Sequence, residues 1–129
     1  MPERLHRRAW IERRSAIDPA PLFVAAATSY VINCALGTAV ASRVLNTGRF
    51  RWIHHALYVS TATLTTAAVS SLVWSRSRAG WTLLPAGIPL SVIPYVSART
   101  RRHPALALSA APFYVAGLIH VRRYRDGVS

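Results

Sequence analysis

His54 and His55 stand together at the start of one long uncharged stretch, and His103 stands at the start of another. Imidazoles presented by separate helices are how membrane cytochromes hold haem b, and neutral imidazole is also a common ligand of transition metals. The chemistry open to these three side chains is therefore electron transfer or metal binding. Local sequence argues for something plainer. Successive helical residues point ~100° apart, so His54 and His55 do not face one ligand together. Arg51, Trp52 and Tyr58 flank the pair, and His103 lies within "RTRRHP". Basic and aromatic side chains of this kind collect at the headgroup level of a bilayer. We read "RWIHHALY" as a membrane boundary with His54 and Tyr58 on one helical stripe. No cofactor is assigned, and haem b or a metal at His54, His55 and His103 is the alternative.

Two further features could carry chemistry. Asn33 is the most polar side chain in the middle of its uncharged stretch. A transport reading makes it a substrate or ion ligand; the structural reading gives it a hydrogen bond to a neighbouring helix, such as the threonine-rich stretch that follows. The second feature is "AGWTLLPAGIPLSVIPYVS", residues 79–97, with Pro85, Pro89, Pro94 and Gly87 inside it. Each proline lacks an N–H and disturbs the hydrogen bond to the carbonyl four residues earlier. The spacing predicts a kinked or partly unwound segment whose freed carbonyls, at Trp81 and Leu90, need other donors. Broken helices build the binding sites of many transporters. A transport or hinge function would rest on Asn33, Pro85, Gly87, Pro89 and Pro94; the simpler reading is a structural kink.

The wider inventory is thin. No Asp or Glu occurs from residue 19 to residue 125, so the carboxylate that usually carries protons through a membrane exporter is missing. HExxH, GxSxG and Walker A patterns are also missing, which leaves metal-dependent hydrolysis, serine hydrolysis and nucleotide use without machinery. Cys34 is the sole cysteine; it makes no disulfide within this chain and reads as a small apolar filler.

The elements that position these residues follow from the segregation of charge. The net charge is +12 and the pI near 11.7, yet mean hydropathy is +0.25. These agree only if charged and apolar residues alternate in blocks, and they do: residues 19–42, 52–75, 79–98 and 103–121 carry no formal charge. A helix of ~20 residues crosses the ~30 Å hydrocarbon core, and all four blocks are near or above that length. The chain therefore reads as all-α, an integral membrane four-helix bundle with a kinked, proline-rich third span. A pI this high is also the footprint of nucleic-acid binding. Arginines that punctuate apolar runs at span intervals fit anionic lipid headgroups instead, and no nucleic-acid partner is assigned.

Within the spans, small residues recur. The first presents Ala25, Ser29, Asn33, Gly37 and Ala41 on one stripe, and the second Ala56, Ser60, Thr63, Ala67 and Ser70. Small side chains let membrane helices approach closely, so these two faces are expected to pack on each other, with Leu57, Leu64 and Leu72 toward lipid.

One membrane domain, residues 1–129, accounts for the whole sequence: a basic interfacial segment at 1–18 ending in a short helix before Pro19, spans at about 20–42, 53–74, 80–97 and 104–121, and a basic tail at 122–129. The first span is longer than a signal-peptide core and reads as a retained anchor. With four spans both ends share a side. That side carries ten arginines (4, 7, 8, 13, 14, 76, 78, 122, 123, 125) against six (43, 49, 51, 99, 101, 102) on the other. The positive-inside rule places both ends in the cytoplasm. All sixteen basic residues are arginine and alanine is abundant, the usage of a high-GC bacterial genome. The expectation is a non-catalytic accessory or assembly subunit of a bacterial plasma-membrane complex. Its partners would be anionic lipid and a membrane protein or further copies of itself. The alternative is a small oligomeric transporter or lipid permease with its site at the third span.

Overall fold

The computed structural model describes residues 2–15, 17–42, 44, 48, 51–96, 100 and 102–127. Arg43, Arg49, Arg99 and Arg101, assigned above to the loops of one membrane face, lie outside the described residues, as do residue 97 of the expected third span and residues 128–129 of the tail.

Among the described residues every regular element is helical. Helix α1 covers Pro2–Ser15 and α2 covers Ala20–Ala41. Between them Asp18 Oδ1 accepts the Ala20 N–H at 2.9 Å and the Pro19 carbonyl accepts the Leu22 N–H at 3.0 Å. Pro19 is the N-cap of α2 and Pro21 lies in its first turn, where a missing N–H removes nothing the helix needs. Helix α3 runs Arg51–Trp74. A serine turn follows it: the Ser77 N–H donates to Ser75 Oγ and the Ala79 N–H donates to Ser77 Oγ, each at 3.2 Å. Hydroxyls standing in for backbone partners let this buried turn reverse the chain within a few residues.

Residues 79–95 form no single long helix. They alternate between α4 (Ala79–Leu83), a 3₁₀ turn at Leu84–Ala86, α5 (Gly87–Val92) and a second 3₁₀ turn at Ile93–Tyr95. Pro85 and Pro94 each occupy the first turn of a 3₁₀ piece, the position where their missing N–H is tolerated. Three helices are long and apolar enough to cross a membrane: Ala20–Ala41, Trp52–Trp74 and Arg102–Asp126. Residues 79–95, within the expected third span, are this segmented stretch and are not among the three. The last helix is itself two pieces, α6 (Arg102–Ser109) and α7 (Ala111–Asp126), divided at Ala110 just before Pro112. Helix α7 continues through Arg122, Arg123 and Arg125, so the tail expected from residue 122 is instead mostly the last helical turns. Arginine is a good helix former, and cations are favoured at a helix C-terminus.

Contacts run in a ring. Helices α2 and α3 share the largest interface; α4 lies against α3 and α7, and α7 returns to α2. The centre is built from Phe23, Tyr30, Leu83, Tyr114 and Val121, filled in by alanines. Two glycines permit close approach. A Cβ at Gly117 would sit 3.2 Å from the Phe23 ring, and one at Gly80 would sit 2.6 Å from Leu72 Cγ. Only 22% of the apolar window in each of the three long helices is buried, and Val31, Val59, Val73, Ile88 and Val115 face outward. An apolar surface on that scale suits a lipid solvent and not water.

Candidate functional site

The interior of the ring holds the polar side chains. Ser29 Oγ on α2 meets Thr61 Oγ1 on α3 at 2.9 Å, and Thr61 also donates to the Leu57 carbonyl. One turn further along α3, Thr65 Oγ1 pairs with the Tyr114 hydroxyl of α7. Tyr114 stacks on Tyr30 with ring centroids 4.3 Å apart, and the Tyr30 hydroxyl donates to the Ala107 carbonyl at 2.6 Å. That carbonyl lies near the α6–α7 break and also accepts the Ala110 N–H at 3.3 Å. The seam thus ties α2, α3 and the last helix through buried hydroxyls, which lack water to compete for them.

A second junction sits between α3 and residues 79–95. The Tyr58 hydroxyl donates to the Leu90 carbonyl at 2.8 Å, the carbonyl that Pro94 leaves without a helical donor. Beside this bond runs a groove of about 300 Å³ open to the outside. Its α3 wall includes Ala62, Thr66 and Val69; Leu83 and Gly87 stand opposite.

The histidines divide. His54 and His103 come together with ring centroids 6.0 Å apart and planes tilted by 46°, whereas His55 points outward. His103 Nδ1–H donates to the Val96 carbonyl at 3.1 Å, which leaves Nε2 as the free ring nitrogen. Among the described residues no group of three His, Cys, Asp or Glu side chains is arranged to hold a metal ion.

Of the small-residue stripe on α2, Ser29 is buried, Ala25, Asn33 and Gly37 are half-buried and Ala41 is exposed. Asn33 makes no bond to α3 through its carbonyl: Oδ1 is buried without a hydrogen-bond partner. On α3 the buried row is Thr61, Thr65, Ala68 and Ser71. The expected row is rotated away from it, with Ala56, Ser60, Thr63 and Ser70 exposed and Ala67 half-buried. Leu64 packs on the core and Leu72 abuts Gly80, so neither faces lipid as expected. Pro89 is buried; Pro85, Gly87 and Pro94 are exposed. Tyr30 and the bonding role of Tyr114 were the missed features. Each places one hydroxyl in an apolar run, and such a hydroxyl needs a partner.

No known protein family matches the chain, and no curated protein or solved structure shows significant similarity to it.

Proposed function

We propose that the chain is an integral four-helix bundle of a bacterial plasma membrane, with residues 79–95 as a kinked crossing segment and both ends in the cytoplasm. It acts as an accessory or assembly subunit without catalytic machinery of its own. One observation carries the reading: the Ser29, Thr61, Thr65 and Tyr114 hydroxyls in the interior of α2, α3 and α7 are engaged with one another, Ser71 Oγ being buried without a partner, while the outer faces of the same helices present Val31, Val59, Val73 and Val115. Polar groups tied up inside hold a scaffold together, and an apolar exterior is what a membrane partner or lipid would meet. The test is a mild-detergent pull-down of tagged protein from its native membrane, with mass spectrometry and a visible spectrum of the same sample. A stoichiometric membrane partner is the expected result. A partner-free homo-oligomer would overturn it in favour of a permease, the reading favoured by the groove beside Gly87. A Soret band would turn attention to His54 and His103, the histidine pair within ring contact.

A further inference from the structure

The groove between α3 and residues 79–95 has two unlike ends. At one, Val69 of α3 and Leu83 and Leu84 line the wall, and the neighbouring Thr65 and Thr66 hydroxyls are spent on Tyr114 and the Ala62 carbonyl. At the other, Tyr58 and Ser91 supply hydroxyls. From Tyr58 to Val69 the helix rises ~16 Å, about half the thickness of a hydrocarbon core. One turn beyond Tyr58 lie His54 and His103, and the residue before His103, Arg102, is exposed at the start of α6. The charge at this end has no internal counterweight. Arg51 and Arg102 begin α3 and α6, and no acidic residue occurs from residue 19 to residue 125. Asp18 and Asp126 sit at the opposite ends of α2 and α7. Helix α3, residues 79–95 and α6 supply no carboxylate to balance these arginines.

We infer that the groove seats one acyl chain of an anionic phospholipid, with the headgroup held at Arg102, His54 and His103. The inference rests on the chain being membrane-embedded. A cation near a bilayer surface favours an anionic headgroup by an amount that corresponds to about a fivefold change in affinity. The chain lies along the Gly87 wall, where a Cβ would meet nothing within 4 Å; the absent side chain leaves the space that the lipid fills.

The full chain is first tested for extraction from membranes by detergent but not by carbonate. Release by carbonate would sink both the membrane reading and the lipid site. Purified protein is then incubated with dioleoylphosphatidylglycerol or dioleoylphosphatidylcholine, and retained lipid is counted by native mass spectrometry. The wild type retains the glycerol lipid preferentially. Arg102→Gln reduces its retention about fivefold. Gly87→Leu, which fills the groove from a position with open space around it, reduces retention to the level of the choline lipid. Equal retention of the two lipids by the wild type overturns the headgroup assignment. Unchanged retention in Gly87→Leu, with Arg102→Gln impaired, overturns the groove and leaves only a surface charge effect.

Discussion

On the side of α3 that meets α2 and α7, side chain answers side chain: Ser29 with Thr61, and Thr65 with Tyr114. On the side that meets residues 79–95, the phenol of Tyr58 answers a backbone carbonyl, that of Leu90. The first side is closed, with Thr61, Thr65 and Ala68 almost wholly buried. The second is open along the groove. The difference has a backbone origin. Helices α2 and α3 satisfy their own backbone groups, so their side chains are free to knit a tight seam. Residues 79–95 contain three prolines, and a tyrosine from the neighbour is used to repair the ladder instead of tightening the contact.

The comparison breaks most readily at Tyr114. Tyr114→Ala removes a buried ring, its stack on Tyr30 and the partner of Thr65, and large aromatic truncations cost about 3–5 kcal/mol. Titration with SDS in mixed micelles, followed by circular dichroism, should show the midpoint falling accordingly. Maleimide labelling of Cys34, which packs against this core, should accelerate with it. If Tyr114→Ala is no more disruptive than a change at the exposed Tyr95, the seam is not the structural centre.

Gly80→Val probes a place where the segmented stretch is tight. Its new Cβ would stand 2.6 Å from Leu72 Cγ and 3.1 Å from the Val69 carbonyl, and overpacking of this kind costs about 1–3 kcal/mol. The same unfolding titration reads the effect. Gly87→Val, facing open space, is the matched control and should be near neutral. Equal effects at the two glycines would mean that the start and the middle of this stretch do not differ in packing.

Tyr58→Phe takes away only the donor to the Leu90 carbonyl. Hydrogen bonds between membrane helices average about 0.6 kcal/mol and reach about 1.7. The expected signature is local: faster hydrogen exchange of amides in residues 87–96, with Cys34 labelling unchanged. Acceleration of both would show that seam and groove open together.

The lengths of α2 and α3 were legible in the sequence, and helix rotations were not. Charge segregation set α2 and α3 within about two residues, because ~20 uncharged positions leave a membrane helix little latitude. The face of α3 that turns inward was misjudged because Thr61 and Thr63, or Ala67 and Ala68, differ little in size or polarity. A helix in lipid has no strong apolar-to-polar contrast to orient it. The need for a donor at Leu90 followed from Pro94, but its source, Tyr58, lies 32 residues away. Only the fold brings them together. His54 and His103 could be foreseen at one depth; their contact, and the exclusion of His55 from it, depend on how α3 and α6 are turned.

The smallest expected effect is at Gly37, and its sign is what matters. A Cβ there meets nothing within 4 Å in the isolated chain. Within one protomer, Gly37→Ala should therefore be neutral or stabilise α2 by up to about 1 kcal/mol through helix propensity. Asn33, one turn earlier on the same stripe, keeps a buried amide oxygen without a hydrogen-bond partner, and Ala41, one turn later, is exposed. If that stripe meets another membrane helix in the assembled complex, the added methyl intrudes on a backbone that approaches closely, and the substitution becomes unfavourable. The measurement is made twice, by SDS titration of purified protein and by recovery of the intact complex from native membranes. A gain or no change in the first with a loss in the second locates the partner on the Gly37 face of α2. No change in either moves the partner surface elsewhere, with the exposed Ser60, Thr63 and Ser70 row of α3 as the next face to substitute.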